Sequence, residues 1–413
     1  IVTGDWSSDV CSSDLASQEI VIGDQSSFTV TMQTDTQGLD EVVVVGYGSQ
    51  KRANLTGAVS TIDTEILDSR PITDVARGLQ GTTPGLTIAA PSGQIGENPR
   101  ITLRGAVGTL GTGGGAEPLI LVDNVEVNSL QDINPQDIED ISVLKDAAST
   151  SIYGSRGAWG VILITTKNGR REQAPTVNYS NNLSWATPTN TPTVAPAAEG
   201  AEMAFAAVNR RIPSLDAFGV VGMYLDRTAI DKMREWESLY GGQDLGMEMV
   251  EGRDYEIRDG RLFFYRPWDP QELFVNKWAP MQKHDLSVSG GSENTNYYIG
   301  LGYLQQEGVY KTNPDEFERY NLNVSVNTSV TDWMDIRTKV LHTNSRRTEP
   351  FSFSGATYDA WYYTTRWPAF YPYGTVDGLS FRNHINEVSQ ANMNQINNSL
   401  SRVNLGTTLT PLD

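Results

Sequence analysis

Along the second half of the chain, apolar and polar residues alternate with a period of two. The run "PTVNYSNNLSW" sets Val177, Tyr179, Asn181, Leu183 and Trp185 against Asn178, Ser180, Asn182 and Ser184. "TNYYIGLGYL" puts Tyr297, Ile299, Leu301 and Tyr303 on one face, and "YNLNVSVNTSV" opposes Tyr320, Leu322, Val324 and Val326 to Asn321, Asn323, Ser325 and Asn327. "DWMDIRTKV" sets Met334, Ile336 and Val340 against Asp335, Arg337 and Lys339. "SRVNLGTTL" sets Val403, Leu405 and Leu409 against Arg402, Asn404 and Thr408, and the shorter "HDLSVSG" carries Leu286 and Val288. This period belongs to strands with two unlike faces, and six such strands are expected.

The connections decide what the strands build. About 95 residues separate the first two, a tight "GSEN" turn joins the next pair, and about ten residues follow. A tight turn near Thr331–Asp332 and then about fifty residues complete the series. A soluble sandwich would show turn signals at regular short intervals. Short turns on one side and long loops on the other fit an outer-membrane barrel, with the apolar face towards lipid and the polar face towards the lumen. The smallest such barrels need about eight strands, so the chain is expected to be a piece of a longer protein. The open edges of its first and sixth strands would favour aggregation of the isolated piece.

The first half has another texture. Residues 17–34 show two short alternating runs, expected to be the last hairpin of a small β-domain. "LDEVVVVGYG" follows at 39–48, an extended β-branched run closed by glycines. Residues 49–170 mix a helix expected over roughly 71–81 with four strand candidates, "PRITLRG", "EPLILVDNV", "IEDISVLKD" and "VILITTKNG". Gly-rich loops separate them, giving an α+β domain of about 120 residues.

Composition narrows the function. The chain has 413 residues and no apolar run near the roughly 18 that a transmembrane helix requires. A net charge of -19 excludes a nucleic-acid partner, which needs a basic surface. Three histidines lack metal-ligand spacing, so neither zinc nor any other cofactor is expected. The sole cysteine, Cys11, lies in "DWSSDVCSSDL". That string resembles a translated sequencing-library adapter, and residues 1–15 are set aside as an artefact. "GTLGTGGGAEP" lacks the Lys-Ser/Thr of a phosphate-binding loop and no clear helix follows it. Asp137, Glu139 and Asp140 crowd one segment, whereas glycoside hydrolysis needs carboxylates across a cleft. They are expected to be solvated strand flanks, and no enzyme activity is expected.

Several of these segments together carry a family likeness. "LDEVVVVGYGSQKRANLTGAVSTI", "GLQGTTPGLTI", "ITLRG", "PLILVDNV", "INPQDIEDISVLKDAASTSIYGSRGAWGVILITTKNG" and "PMQKHDLSVSGG" resemble the SusC/RagA family of TonB-dependent outer-membrane transporters of Bacteroidota. The resemblance spans residues 17–413. It implies a remnant of an N-terminal, carboxypeptidase-regulatory-like β-domain at 16–38, a TonB box at 39–48 and a plug at 49–170. At 171–413 it implies the first strands and loops of a transmembrane antiparallel barrel of about 22 strands when complete. The family commonly has a small or polar residue where this chain has Trp159, which is expected to pack against the barrel wall.

The resemblance also implies a mechanism with three parts. Asp40, Glu41, Val42, Val43, Val44 and Val45 would be the handle that TonB, driven by ExbB–ExbD, pairs with and pulls; an extended β-branched segment suits pairing with a partner's sheet edge. The plug would be the stopper, with Arg100, Arg104 and Lys145 expected to face carboxylates of the barrel wall through a wet interface. The long loops would form the mouth. "YDAWYYTTRWPAFYPYG" carries seven tyrosines and tryptophans, Trp361, Tyr362, Tyr363 and Trp367 among them. Flat rings suit a glycan or peptide ligand, the seat of a SusD-like surface lipoprotein, or each other. Outer-membrane lipid would surround the barrel. A siderophore or cobalamin receptor is the alternative within the class, and a secreted β-rich carbohydrate-binding protein the alternative outside it.

Overall fold

The structure, a computed structural model, describes residues 42–45, 48–51, 59–62, 64, 72–90, 94–105, 117–189, 191, 193–220, 222–350 and 367–410. The remnant at 16–38, Asp40 and Glu41, the Gly-rich loop at 106–116, and Trp361, Tyr362 and Tyr363 lie outside the described residues. Strand β1 (Val42–Val45) pairs antiparallel with β2 (Gly48–Lys51) in a sheet of its own.

The α+β domain follows. It comprises β3 (Val59–Ile62), helix α1 (Val75–Leu79), β4 (Leu86–Ala89), β5 (Arg100–Leu103), β6 (Leu119–Val122), β7 (Val125–Val127), β8 (Ile138–Leu144), α2 (Ala147–Thr150) and β9 (Val161–Thr166). Five strands form one sheet in the order β3-β8-β9-β6-β7, with β6 and β9 parallel, and β4 pairs with β5. The central strands are near-continuous apolar runs, which lets both faces be buried. Ile141, Val143, Ile162 and Ile164 pack with Val75 and Leu79 of α1 and with Ile88 and Ile101 of the hairpin. The helix is shorter than expected at its start. Asp74 has extended backbone and its carboxylate accepts from the Arg77 N–H at 2.8 Å, so the helix begins at Val75. "EPLILVDNV" is a hairpin rather than one strand. Asp123 and Asn124 both hold positive φ (48° and 66°) and turn the chain tightly between β6 and β7.

Strand β10 (Thr176–Ala186) opens the large sheet. The first long loop then folds into a module of its own: α3 (Ala197–Arg211), β11 (Phe218–Val220), β12 (Met223–Leu225), α4 (Arg227–Tyr240), β13 (Tyr255–Arg258), β14 (Arg261–Phe264) and α5 (Pro270–Phe274). Its four strands run in the order β11-β12-β14-β13. Phe205 of α3, Met233 and Trp236 of α4 and Phe263, Phe264 and Tyr265 form its core with Phe370 from the last loop. The acidic N-cap Asp226 starts α4 and is clamped by both terminal nitrogens of Arg258, at 2.8 and 3.0 Å.

The remaining barrel strands are β15 (Ala279–Gly291), β16 (Thr295–Glu307), β17 (Glu316–Thr331), β18 (Met334–Pro350) and, after a short hairpin β19 (Thr375–Val376) and β20 (Leu379–Ser380) and helix α6 (His384–Gln390), β21 (Met393–Leu409). The sheet order is β10-β15-β16-β17-β18-β21, antiparallel throughout. All six expected strands are present in the expected order. Their burial is inverted relative to a soluble sheet. Asn323 and Ser325 are wholly buried, whereas Leu301 is 46% and Tyr320 52% exposed. Over β15–β18 the α+β domain covers the polar face, whereas β10 and most of β21 are exposed on both faces and the apolar face is largely bare. Among the described residues no helix is long and apolar enough to cross a membrane, so any crossing is made by strands.

Candidate functional site

The α+β domain meets the polar face of the sheet through the turn Leu130–Asp137, "LQDINPQD". Two short helical turns, capped by Ser129 and Asn134, shape this segment. Asn134 Nδ2 donates to Asp285 Oδ1 on β15 at 2.7 Å, and Tyr298 on β16 donates its hydroxyl to Asp137 Oδ1 at 2.9 Å. Arg319 of β17, wholly buried, donates from Nη1 to the Gln131 carbonyl at 2.6 Å and from Nε to Asn321 Oδ1 at 2.9 Å. Asn321 and Thr343 both donate to the Asp132 carbonyl, at 3.1 and 2.6 Å. Ser325 donates to Asn168 Oδ1 at 2.8 Å.

Glycines on the wall let this turn approach. A Cβ at Gly300 would lie 2.2 Å from Asp137 Oδ1, and one at Gly302 would lie 2.5 Å from Asn134 Nδ2. Both sit on the inward face of β16, opposite Ile299 and Leu301. The domain returns the arrangement at Gly96, where a Cβ would lie 2.3 Å from Phe317 Cδ2 on β17. Ile95, Met281, Leu304 and Phe317 make a small apolar patch there. Gln94 donates to Glu349 beside it.

At the other side of the interface, Lys339 of β18 pairs with Asp123 Oδ1 at 2.7 Å and donates to Thr166 Oγ1 at 3.1 Å. Asp123 also accepts from the Thr166 hydroxyl at 2.7 Å. A space of about 570 Å³ adjoins this pair, lined by Asp123, Asn168, Lys339 and Asn404 together with Leu121 and Leu163. It is large enough for several waters.

Among the described residues, none of Arg100, Arg104 and Lys145 forms an ion pair with a carboxylate of the six-stranded sheet. Lys145 donates to the Pro84 carbonyl at 3.0 Å, inside the domain, and burial, then the charge of Arg104, holds it below the usual lysine range. The Arg104 backbone N–H donates to the Gly85 carbonyl at 2.7 Å, and Arg100 is exposed at the start of β5. The docking turn presents amides, carbonyls and acids, so the wall supplies most of the donors. The Lys339–Asp123 ion pair across the interface has its cation on the wall. Asp137 is not the solvated flank expected of it. It is 4% exposed, and burial pushes its carboxyl up to about 6 despite the Tyr298 hydrogen bond. Glu139 is exposed as expected. Trp159 is 44% exposed and touches none of these six strands closely enough to be buried, standing in the turn ahead of β9 while Val161 and Ile162 fill the buried positions.

Val42–Val45 have strand backbone, hydrogen-bonded to Gly48–Lys51 and separate from the five-stranded sheet. Of the aromatic loop, Trp367 is half-buried. Its ring lies 4.9 Å from Tyr371 and 5.7 Å from His384, which Phe274 and Tyr373 also flank. In this part the rings pack on each other.

Comparison with known proteins matches this geometry. Residues 51–161 match the family model described as the TonB-dependent Receptor Plug Domain. A TonB-dependent receptor of Formosa agariphila is 33% identical over 298 residues, covering 71% of this chain and 24% of that protein. The TonB-dependent receptor SusC of Bacteroides thetaiotaomicron is 29% identical over 318 residues, covering 75% and 26%. The chain thus spans about a quarter of the length of these relatives. In fold it resembles the structure of the RagAB peptide importer in the "open-open" state, with a TM-score of 0.67 at 24% identity, over 90% of this chain and 41% of that one. A plug seated against the inward polar face of a lipid-ready sheet, with these relatives, places the chain in the SusC/RagA-like TonB-dependent receptors, of which it carries the plug and the first strands of the barrel.

Proposed function

We propose that the full-length protein is an outer-membrane importer of oligosaccharides or peptides, energised by TonB and working with a SusD-like surface lipoprotein. The observation that carries this reading is the inverted sheet. Its apolar face is bare and its polar face holds a separate domain through hydrogen bonds that water can replace. Such contacts can be broken one by one under a pulling force. Asp40 to Val45 are the segment on which TonB pulls, with ExbB–ExbD as the motor. The strand backbone of Val42–Val45 supports this, since an extended segment is what a partner's sheet edge accepts. The RagAB structure is that of a peptide importer, which supports peptides as one of the two proposed cargoes.

Deletion of Asp40–Val45 from the full-length gene tests the reading. Growth on the cognate nutrient should be lost while the purified protein still binds that nutrient. Growth that persists would overturn it. A defect seen only under iron limitation would mark a siderophore receptor instead.

A further inference from the structure

The loop module contains a cleft of about 580 Å³ that the plug mechanism does not use. Its walls come from the segment before α3, the C-terminal end of α4 with its Gly241–Gly242 turn, and the connection from β14 to α5. Thr191, Thr193, Glu237, Gln243, Arg266 and Trp268 line it.

Arg266 is unusual among these. It is only 8% exposed, and its guanidinium carbon sits 4.0 Å from the centre of the Trp268 ring and 5.9 Å from that of Trp236. Nη2 donates to the Gly246 carbonyl at 2.6 Å, while Nη1 has no hydrogen-bond acceptor among the described residues. Trp268 also lines the cleft and its Nε1 has none either, both atoms being closed to solvent in this structure, so that a ligand reaches them only as the two side chains turn towards it. No carboxylate among the described residues forms an ion pair with Arg266. Asp254 attracts it from a distance, but that carboxylate is already engaged by Arg253, the Val250 N–H and Trp236 Nε1. Asp269 is likewise engaged, accepting from the Gln271 and Glu272 N–H groups at 2.9 and 3.1 Å. Burial lowers the pKa of Arg266, yet a guanidinium keeps its proton in proteins. A sheltered cation with a spare N–H, beside a second spare donor, is set to take an anion, and shelter from water strengthens the bond.

We propose that this cleft binds a carboxylate of the imported ligand, with Arg266 and the Trp268 indole N–H as donors. Glu237, exposed at the cleft, disfavours a second negative group beside the first. The ligand therefore carries one carboxylate on an otherwise neutral or cationic body. Two sources share that chemistry: a glycan with an isolated acidic sugar, and the C-terminus of a peptide. The inference rests on the importer reading, which places this loop on the outer side.

The test is isothermal titration of the purified full-length protein in detergent with two matched pairs. One is a trisaccharide with a single uronate and its methyl ester; the other is trialanine and its C-terminal amide. One acid should bind at least about tenfold more tightly than its neutral partner, and which acid it is identifies the source. Arg266→Gln should weaken that binding at least about tenfold, Arg266→Lys less, and Trp268→Phe a few-fold. Equal binding of acid and neutral partner, no binding of either acid, or unchanged affinity in Arg266→Gln would overturn the proposal. If Arg266→Gln does not fold, shown by loss of heat-modifiable migration on a gel, Trp268→Phe decides, and unchanged affinity there overturns it. The variant lacking Asp40–Val45 should bind the acid normally. Growth that depends on those residues, without acid binding, would sink this inference and leave the importer reading standing.

Discussion

The loop module is held together by rings and the plug seat by hydrogen bonds. In the module, Phe264 packs edge-on against Phe381 with centroids 4.9 Å apart, and Trp236, Phe263 and Phe370 fill the space around it. Parting such rings exposes apolar surface to water, and nothing in water compensates. In the seat, Asn134, Asp137, Arg319, Asn321 and Thr343 all reach their partners through N–H or O–H donors. When these part, water takes each place, and the net loss per bond is about 0.5–1.5 kcal/mol. The contrast suits the proposed importer, which needs a module that keeps its shape and a seat that can come apart in steps.

The largest expected effect breaks the module and spares the seat. Phe264 is 1% exposed, so Phe264→Ala should cost the module about 3–5 kcal/mol through lost burial and the cavity left behind. Hydrogen exchange on the full-length protein should show faster exchange in β13, β14 and the segment around Phe381. Exchange in β8 and β9 of the plug should stay unchanged. Equal loss of protection in the plug would mean that the two regions are one cooperative unit and that the contrast between them is false.

The next effect acts on the seat alone, through pH. Asp137 titrates near 6 when seated and near 3.8 when free. Burial is the main cause, and the neighbouring Asp285 adds to it, while Tyr298, Lys167 and Lys283 act against it. The seated plug therefore binds this proton more tightly than the freed plug. Seating strengthens as pH falls from about 6 towards 4 and is weaker above 6, by about 3 kcal/mol in all. Protease cleavage of the plug in the full-length protein should be slower at pH 4.5 than at pH 7.5. Asp137→Asn should remove most of this dependence, since the amide carbonyl still accepts from Tyr298 and carries no charge. A pH dependence that survives in the Asn variant would assign it to other groups.

What the sequence disclosed follows from how local each signal is. The six barrel strands were legible because a period of two is written in neighbouring residues, and their facing is confirmed by buried Asn323 and Ser325 beside exposed Leu301 and Tyr320. Helix α3 lies in an alanine-rich run, "AAEGAEMAFAAVNRR", which favours a helix locally. Helix α4 was not foreseen, although Ala229, Ile230, Met233 and Trp236 share one buried face at helical spacing behind the cap Asp226. The seat could not be found by local reading. Asp137 looks like one acid among three, and its partner Tyr298 lies 161 residues further on. The same holds for Asn134 and Asp285, 151 residues apart. One trace was available: Gly300 and Gly302 stand two apart on the inward face of a strand, where glycine otherwise weakens pairing. Such a pair marks where something approaches closely.

That trace supports the smallest and sharpest test. The Cβ of Gly300→Ala would stand 2.2 Å from Asp137 Oδ1, too close without movement. The neighbour is a carboxylate held in a buried turn, with little freedom to yield, so the plug turn must shift outward. The expected cost to seating is about 1–3 kcal/mol, in the range of overpacked cores. The strand itself should gain slightly, because alanine loses less backbone entropy than glycine. The two signs can be separated. Barrel stability, read from the temperature at which heat-modifiable migration is lost, should hold or rise. Permeability of cells to a large antibiotic should increase as the plug loosens. Gly406 on β21 is the control, since a Cβ there meets only Arg337 Cβ at 3.8 Å, and Gly406→Ala should leave permeability unchanged. If Gly300→Ala also leaves permeability unchanged, the turn 130–137 is not what seats the plug, and the weight moves to Lys339 and Asp123.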